Sequence, residues 1–448
     1  MSSSVASPNL RDVSESFERR FALLLIVLVS IVLSACSQEP TNHAVAPQAD
    51  LAEATYAVSP WPLIAGNGSA QPDLIVAPNG RLLLTWISSE VGRRPALLFS
   101  SYDGLRWQHA SRTVAVGTGL FANWADTPHL AATRDGAFWV HWLQQSPNAA
   151  GAYDILLSRS RSNGRSWSPP IMVNDDGTAS EHGFVSLWAQ SDDALGAAWL
   201  DGRNTVAAVG HSDSKDAHAG HDGHAGPMML RAALFDNYLQ RNHEVQLDAM
   251  TCDCCQTDVA ITARGALLAY RGRTPQEIRD ILTARFDGGA WTKPQRVHAD
   301  DWKMPACPVN GPAIAARGND AVVAWYTAAG NVPALKIARS TDAGNRFAAP
   351  VLVDRGDAVQ GRVDVALDGA QAWVLWLRED DSGQSLWLAR YAADLSRELQ
   401  RFEVARLQGR GRGTGFPKLA LRGEVAYVVW TDVVDGKPRL QGATVQVR

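Results

Sequence analysis

Seven times between Pro72 and Trp430 the chain repeats one pattern: a strand-like run, a tight turn, then a second run that ends in an aromatic residue. The copies run from Pro72 to Trp86, Pro128 to Trp142, Phe184 to Trp199, Thr257 to Tyr270, Gly311 to Trp325, Arg362 to Trp376 and Phe416 to Trp430. Their turns are Asn79-Gly80, Asp135-Gly136, Asp192-Asp193, Arg264-Gly265, Gly318-Asn319, Asp368-Gly369 and Arg422-Gly423. Most of these dipeptides suit the positive φ of a two-residue hairpin. The aromatic ends are spaced by 56, 57, 71, 55, 51 and 54 residues. A period of about fifty residues, with several strands in each copy, specifies propeller blades. The expected fold is therefore all-β, a β-propeller of four-stranded antiparallel blades. The count favours seven blades, with six as the alternative. The seventh copy runs out of chain after about three strands. The segment Thr55 to Ile64 is expected to supply its outer strand, because an open ring leaves two apolar blade faces in water.

Strand order then sorts the loops. In an antiparallel blade, successive connections lie on opposite faces. The lead-ins to the first strands share one face with the loops between second and third strands. Thr251-Cys252-Asp253-Cys254-Cys255-Gln256 leads into the fourth copy, and Pro305-Ala306-Cys307-Pro308 leads into the fifth. Four of the five cysteines are thus expected on one face at adjacent blades. The long interval adds Gly210 to Met229 on the same face, with His211, His218, His221 and His224 among small and acidic residues.

The N-terminus sets the compartment. Arg11, Arg19 and Arg20 precede an apolar run from Phe21 to Leu33, which is shorter than the roughly 20 residues a membrane span needs. The run ends in Leu33-Ser34-Ala35-Cys36, which resembles a bacterial lipobox. That resemblance implies a lipoprotein signal peptide over residues 1–35, lipidation of Cys36, and Ser37 directing the chain to the outer membrane. Residues 36–55 read as a disordered tether. Residues 56–448 form a single propeller domain. The expected location is the cell envelope, lipid-anchored and facing the periplasm, where disulfides persist.

A second signal marks several blades. Ser340-Thr341-Asp342-Ala343-Gly344-Asn345-Arg346-Phe347 resembles the Asp-box of sialidases and related BNR-repeat proteins. Ser160 to Trp167 keeps the frame with Ser162 in the Asp place, and Ser101 to Trp107 is one residue short. The resemblance implies a sialidase-like propeller in which these boxes are structural turns away from the ligand face. A sialidase would also need three arginines on a carboxylate and a Tyr nucleophile activated by Glu. The early Phe-Arg-Ile-Pro motif of that family is absent, and no Tyr and Glu stand out as the pair.

Four thiols allow three pairings. A bridge from Cys254 or Cys255 to Cys307 would tie two blades, and the remaining pair would close within the Cys252 to Cys255 stretch. The alternative is metal or redox chemistry, since thiolates suit copper(I) and zinc(II). The histidine tract adds a weaker metal set. Asp201, Arg203, Arg271, Arg362 and Arg412 fall on the same face and are candidates for holding an anionic ligand. Net charge is −4 with both signs interspersed, which gives no footprint for nucleic acid. The favoured reading is a binding module for a metal ion, an envelope partner protein or an anionic glycan. The competing reading is an exo-sialidase or related glycoside hydrolase.

Overall fold

The structure is a computed structural model and describes residues 54–90, 92–108, 110–147, 149, 151–206 and 226–448. The expected signal peptide over residues 1–35, Cys36, nearly all of the expected tether and His211, His218, His221 and His224 lie outside the described residues.

The second strand of each copy is the best guide to why these segments form strands. Leu82–Ser88 is buried at every position but its last, and Leu195–Asp201 is buried throughout. A strand covered on both faces reads as a continuous apolar run rather than an alternating one. Each such strand sits inside a four-stranded antiparallel sheet with neighbouring sheets on both sides.

Seven sheets result, so six is excluded. Blade 1 holds Ser69–Val76, Leu82–Ser88, Ala96–Tyr102 and Arg112–Val116. Blade 2 holds Leu130–Ala132, Phe138–Gln145, Tyr153–Ser160 and Ile171–Met172, and blade 3 holds His182–Ala189, Leu195–Asp201, Met229–Phe235 and Arg241–Asp248. The long interval therefore falls between the second and third strands of blade 3. Blade 4 holds Asp258–Thr262, Gly265–Arg271 and Ile281–Asp287, with its outer edge broken into Ala290–Trp291 and Gln295–Arg296. Blade 5 holds Ala313–Arg317, Asp320–Thr327, Ala334–Ser340 and Val351–Arg355. Blade 6 holds Val359–Leu367, Gln371–Asp380, Gly383–Ala392 and Glu398–Leu407.

Blade 7 closes the ring as the sequence demands. Lys418–Arg422, Val425–Val434 and Lys437–Val447 are joined by Tyr56–Pro60, which pairs antiparallel with the last strand from Tyr56 opposite Val447 to Pro60 opposite Ala443. Seven apolar clusters occupy the seven blade junctions. Trp139 and Trp199 share the cluster of blades 2 and 3, and Trp373 and Trp430 that of blades 6 and 7.

The Asp-boxes turn the chain between third and fourth strands. Ser340 Oγ accepts the Gly344 amide at 2.9 Å and Asp342 Oδ1 accepts the Arg346 amide at 2.9 Å. Ser160 and Ser162 do the same for Gly164 at 3.0 Å and Ser166 at 2.8 Å. Gly344 is required twice over, by a φ of +84° and by Leu267 of blade 4, 2.3 Å from where a Cβ would stand.

Candidate functional site

Two hollows lie along the propeller axis and on its loop-bearing face. The first is the central channel, a cavity of about 200 Å³. Each blade contributes the first-strand residue opposite the one that precedes its terminal aromatic. In chain order these are Asp73, His129, Ser186, Asp258, Ala313, Asp364 and Lys418. Three carboxylates reach across a blade junction. Asp73, Asp258 and Asp364 accept the backbone amides of Leu130, Ile314 and Leu419, each at 2.7 Å. Burial raises Asp258 to about 7 and Asp364 to about 6, against the pull of Lys418. Burial would raise Asp73 too, but His129 at 3.2 Å and Lys418 outweigh it and hold it at about 2. Aligning the seven copies on their aromatic ends would have exposed this ring in the sequence.

Trp124 and Phe416 stack above the channel residues, with ring centroids 5.9 Å apart. Gln256 links the lead-ins of three blades, donating to Ala125 O at 2.8 Å and accepting from the Gly311 amide at 3.0 Å.

The second hollow has a volume of about 750 Å³ and lies between blades 3, 4 and 5. Its wall combines the lead-in residues Asp253, Cys254 and Cys307 with Arg273, Glu277 and Arg279 from the loop after the second strand of blade 4. The lead-ins and that loop therefore do share a face. Met228 and Met250 add thioethers. Arg273 meets Asp253 at 3.0 Å and Glu277 at 2.7 Å. Burial works against the Arg273 charge, but these two carboxylates outweigh it and raise its pKa. Arg279 donates Nη2 to Glu277 at 2.7 Å, while its buried Nε and Nη1 meet no acceptor.

All four described cysteines are paired. Cys252 bridges Cys255, and Cys254 bridges Cys307 across the joint of blades 4 and 5. The first pair is buried, each residue 1% exposed, whereas Cys307 is exposed at the rim. The lead-in is pinned beneath them. The Thr251 amide donates to Met228 O at 2.9 Å and the Cys252 amide to Arg271 O at 3.1 Å.

The five candidate anion-binding residues do not gather at one site: Arg362 and Arg412 share the Trp124 ring, Asp201 and Arg203 pair with each other, and Arg271 stands apart. Arg271 is 1% exposed and gives Nε, Nη1 and Nη2 to the carbonyls of Asn310, Arg279 and Tyr326 at 2.8, 2.6 and 2.6 Å. Burial lowers its pKa to about 9. Arg362 is buried too, lowered to about 10 by burial, and donates to Gly411 O at 2.8 Å and Thr414 Oγ1 at 3.0 Å. Its guanidinium and that of the exposed Arg412 lie 4.9 and 5.6 Å from the Trp124 ring. Both buried arginines tie neighbouring blades together.

Asp201 and Arg203 join a separate buried network with Asp176 and His182. Their donor atoms are spaced like metal ligands, all of Asp176, His182 and Asp201 lying within 4.8 Å of one another. Arg203, however, clasps Asp201 at 2.7 and 2.8 Å and reaches Asp176 at 3.1 Å, so a guanidinium already supplies the positive charge. Burial opposes charge on all three residues, but their mutual contacts prevail, lowering Asp176 and Asp201 and raising His182.

No protein family and no curated sequence matches the chain. Among solved structures, the NanB sialidase from Streptococcus pneumoniae is similar at 12% identity, covering 87% of this chain and 71% of that one, with a TM-score of 0.44. A neuraminidase-like protein from A/bat/Guatemala/164/2009 is similar at 10% identity over 87% and 93%, with a TM-score of 0.45. The Penicillium chrysogenum alpha-L-arabinanase is similar at 12% identity over 84% and 93%, with a TM-score of 0.42. By its own seven sheets, the chain is a seven-bladed β-propeller.

Proposed function

We propose that this chain is a binding module of the cell envelope, lipid-anchored through Cys36 and facing the periplasm. Its ligand is a soft metal ion, copper(I) or zinc(II), taken by the reduced form of the cysteine cluster. One observation carries this reading: the sulfurs of Cys252, Cys254 and Cys255 lie within 4.8 Å of one another. Sulfurs around a tetrahedral ion stand roughly 3.8 Å apart, as Zn–S bonds of about 2.3 Å require. Closing three thiolates onto an ion therefore needs only small side-chain rotations. Cys307 is the natural fourth ligand, and Met228 and Met250 line the approach.

The test is metal uptake by protein reduced under anaerobic conditions, read by competition with a colorimetric copper(I) chelator and by zinc equilibrium dialysis. The expected result is one equivalent bound by reduced protein, none by oxidised protein, and at least tenfold weaker binding in Cys254→Ser. No uptake by the fully reduced, folded chain overturns the reading.

A further inference from the structure

The two disulfides lie side by side. Three of their four sulfurs fall within a 4.8 Å cluster, yet their surroundings differ sharply. Cys307 is exposed and Cys254 half-buried in the wall of the 750 Å³ hollow, while Cys252 and Cys255 are sealed beneath. An external thiol can reach one bridge only, and the sulfur that bridge releases stands next to the other.

We propose that Cys254–Cys307 is a thiol–disulfide exchange site that passes its state inward to Cys252–Cys255. The reductant is an external dithiol. Its thiolate attacks the exposed Cys307 Sγ, the Cys254–Cys307 bond breaks, and Cys254 leaves as a thiolate. The second thiol of the reductant then attacks its own sulfur in the mixed disulfide. Cys307 is released as a thiolate and the reductant leaves as a disulfide. Two electrons have entered the protein. Next, the Cys254 thiolate attacks Cys252 Sγ, the Cys252–Cys255 bond breaks, and Cys255 takes the electron pair and then a proton. This step is an isomerisation with no net redox change. Attack on Cys252 is favoured because neighbouring residues have Cα atoms only about 3.8 Å apart, and disulfides span about 4.4 Å or more. The product carries a Cys252–Cys254 bridge, with Cys255 and Cys307 reduced. Oxidation by an external disulfide reverses the sequence.

The inference concerns the same sulfurs as the metal reading but needs no metal, so either can fail alone. It is tested on metal-free, chelator-treated wild-type chain given one equivalent of a phosphine reductant. The protein is trapped at intervals with a maleimide and mapped by tandem mass spectrometry. Doubly labelled molecules should always carry Cys307, with the second label on Cys254 at first and moving to Cys255 until it equals or exceeds Cys254. A second label that stays on Cys254 at all times overturns the proposal. So does reduction of Cys252–Cys255 before Cys254–Cys307. Cys307→Ser provides a second arm without reductant. Its single free thiol should be shared between Cys254 and Cys255, and label on Cys254 alone overturns the exchange.

Discussion

The carboxylate of Asp73 stands 3.8 Å from Nζ of Lys418, across the seam where the first blade meets the last. Burial opposes the Lys418 charge, but Asp73, Asp364 and Asp258 together raise its pKa. One cation thus serves three carboxylates, and Asp73 is the one held fully ionised. Asp258, at about 7, is left to titrate near neutrality. Its folded pKa exceeds the unfolded value of about 3.9. Its contribution to stability is therefore complete below that value and is lost as pH rises through about 7. Asp258→Asn mimics the protonated form at every pH. Thermal unfolding of wild type and variant is expected to show the variant gaining on wild type by a few degrees between pH 5 and pH 8. A difference that stays constant with pH refutes the assignment.

Ring closure rests on Tyr56. Its ring lies 5.3 Å from Trp373 and 3.7 Å from the Arg390 guanidinium carbon. Its amide donates to Gln400 Oε1 at 3.1 Å, and Gln371 donates to its hydroxyl at 3.2 Å. Truncating a buried aromatic costs about 3–5 kcal/mol, so Tyr56→Ala should lower stability by that order in urea unfolding. Tyr56→Phe loses one hydrogen bond and should cost about 1 kcal/mol. Equal losses in the two variants would show that the ring packing does not close the propeller.

The fold was legible because packing on both sides leaves a strong trace. A strand such as Leu82–Ser88, buried on both faces, is apolar nearly throughout, and its aromatic end recurs at each junction. Counting strands was enough to require a closing edge from Thr55 to Ile64, and the strand Tyr56–Pro60 within it supplies that edge. The shared face of Cys254 and Cys307 followed from loop parity alone. Side-chain direction did not. Arg271 and Arg362 stand on the expected face, but the carbonyls that absorb them belong to neighbouring segments whose distance no spacing reveals. The cysteine partners were equally hidden, because Cys254 and Cys255 are adjacent and either could face Cys307. The channel ring was present in the sequence but needed the copies aligned in depth, residue against residue.

Gly311 sits where the lead-ins of blades 4 and 5 touch. A Cβ there would come 2.0 Å from the Gln256 carbonyl oxygen, which is backbone and has no rotamer to escape into. Gly311→Ala must push the two lead-ins apart and with them the Cys254–Cys307 bridge. The expected cost is about 1–3 kcal/mol. Reaction of Cys254–Cys307 with a small thiol should also speed up severalfold. Wild-type stability together with an unchanged rate would mean that the two loops are not in contact.

The two bridges should differ in what they hold together. Cys252–Cys255 spans 3 residues and Cys254–Cys307 spans 53. Loop-closure entropy makes a bridge over a longer loop more stabilising, at about 4 kcal/mol for the long loop and about 2 for the short one. Only the long one also joins two blades. Paired serine variants separate them. Cys254→Ser with Cys307→Ser should lower the midpoint of chemical unfolding about twice as much as Cys252→Ser with Cys255→Ser. The buried pair adds a packing loss that works against this order, because two small apolar groups are replaced by hydroxyls. A larger loss from the buried pair would therefore mean that it acts mainly as core, and that the exposed bridge is free to open without loosening the propeller.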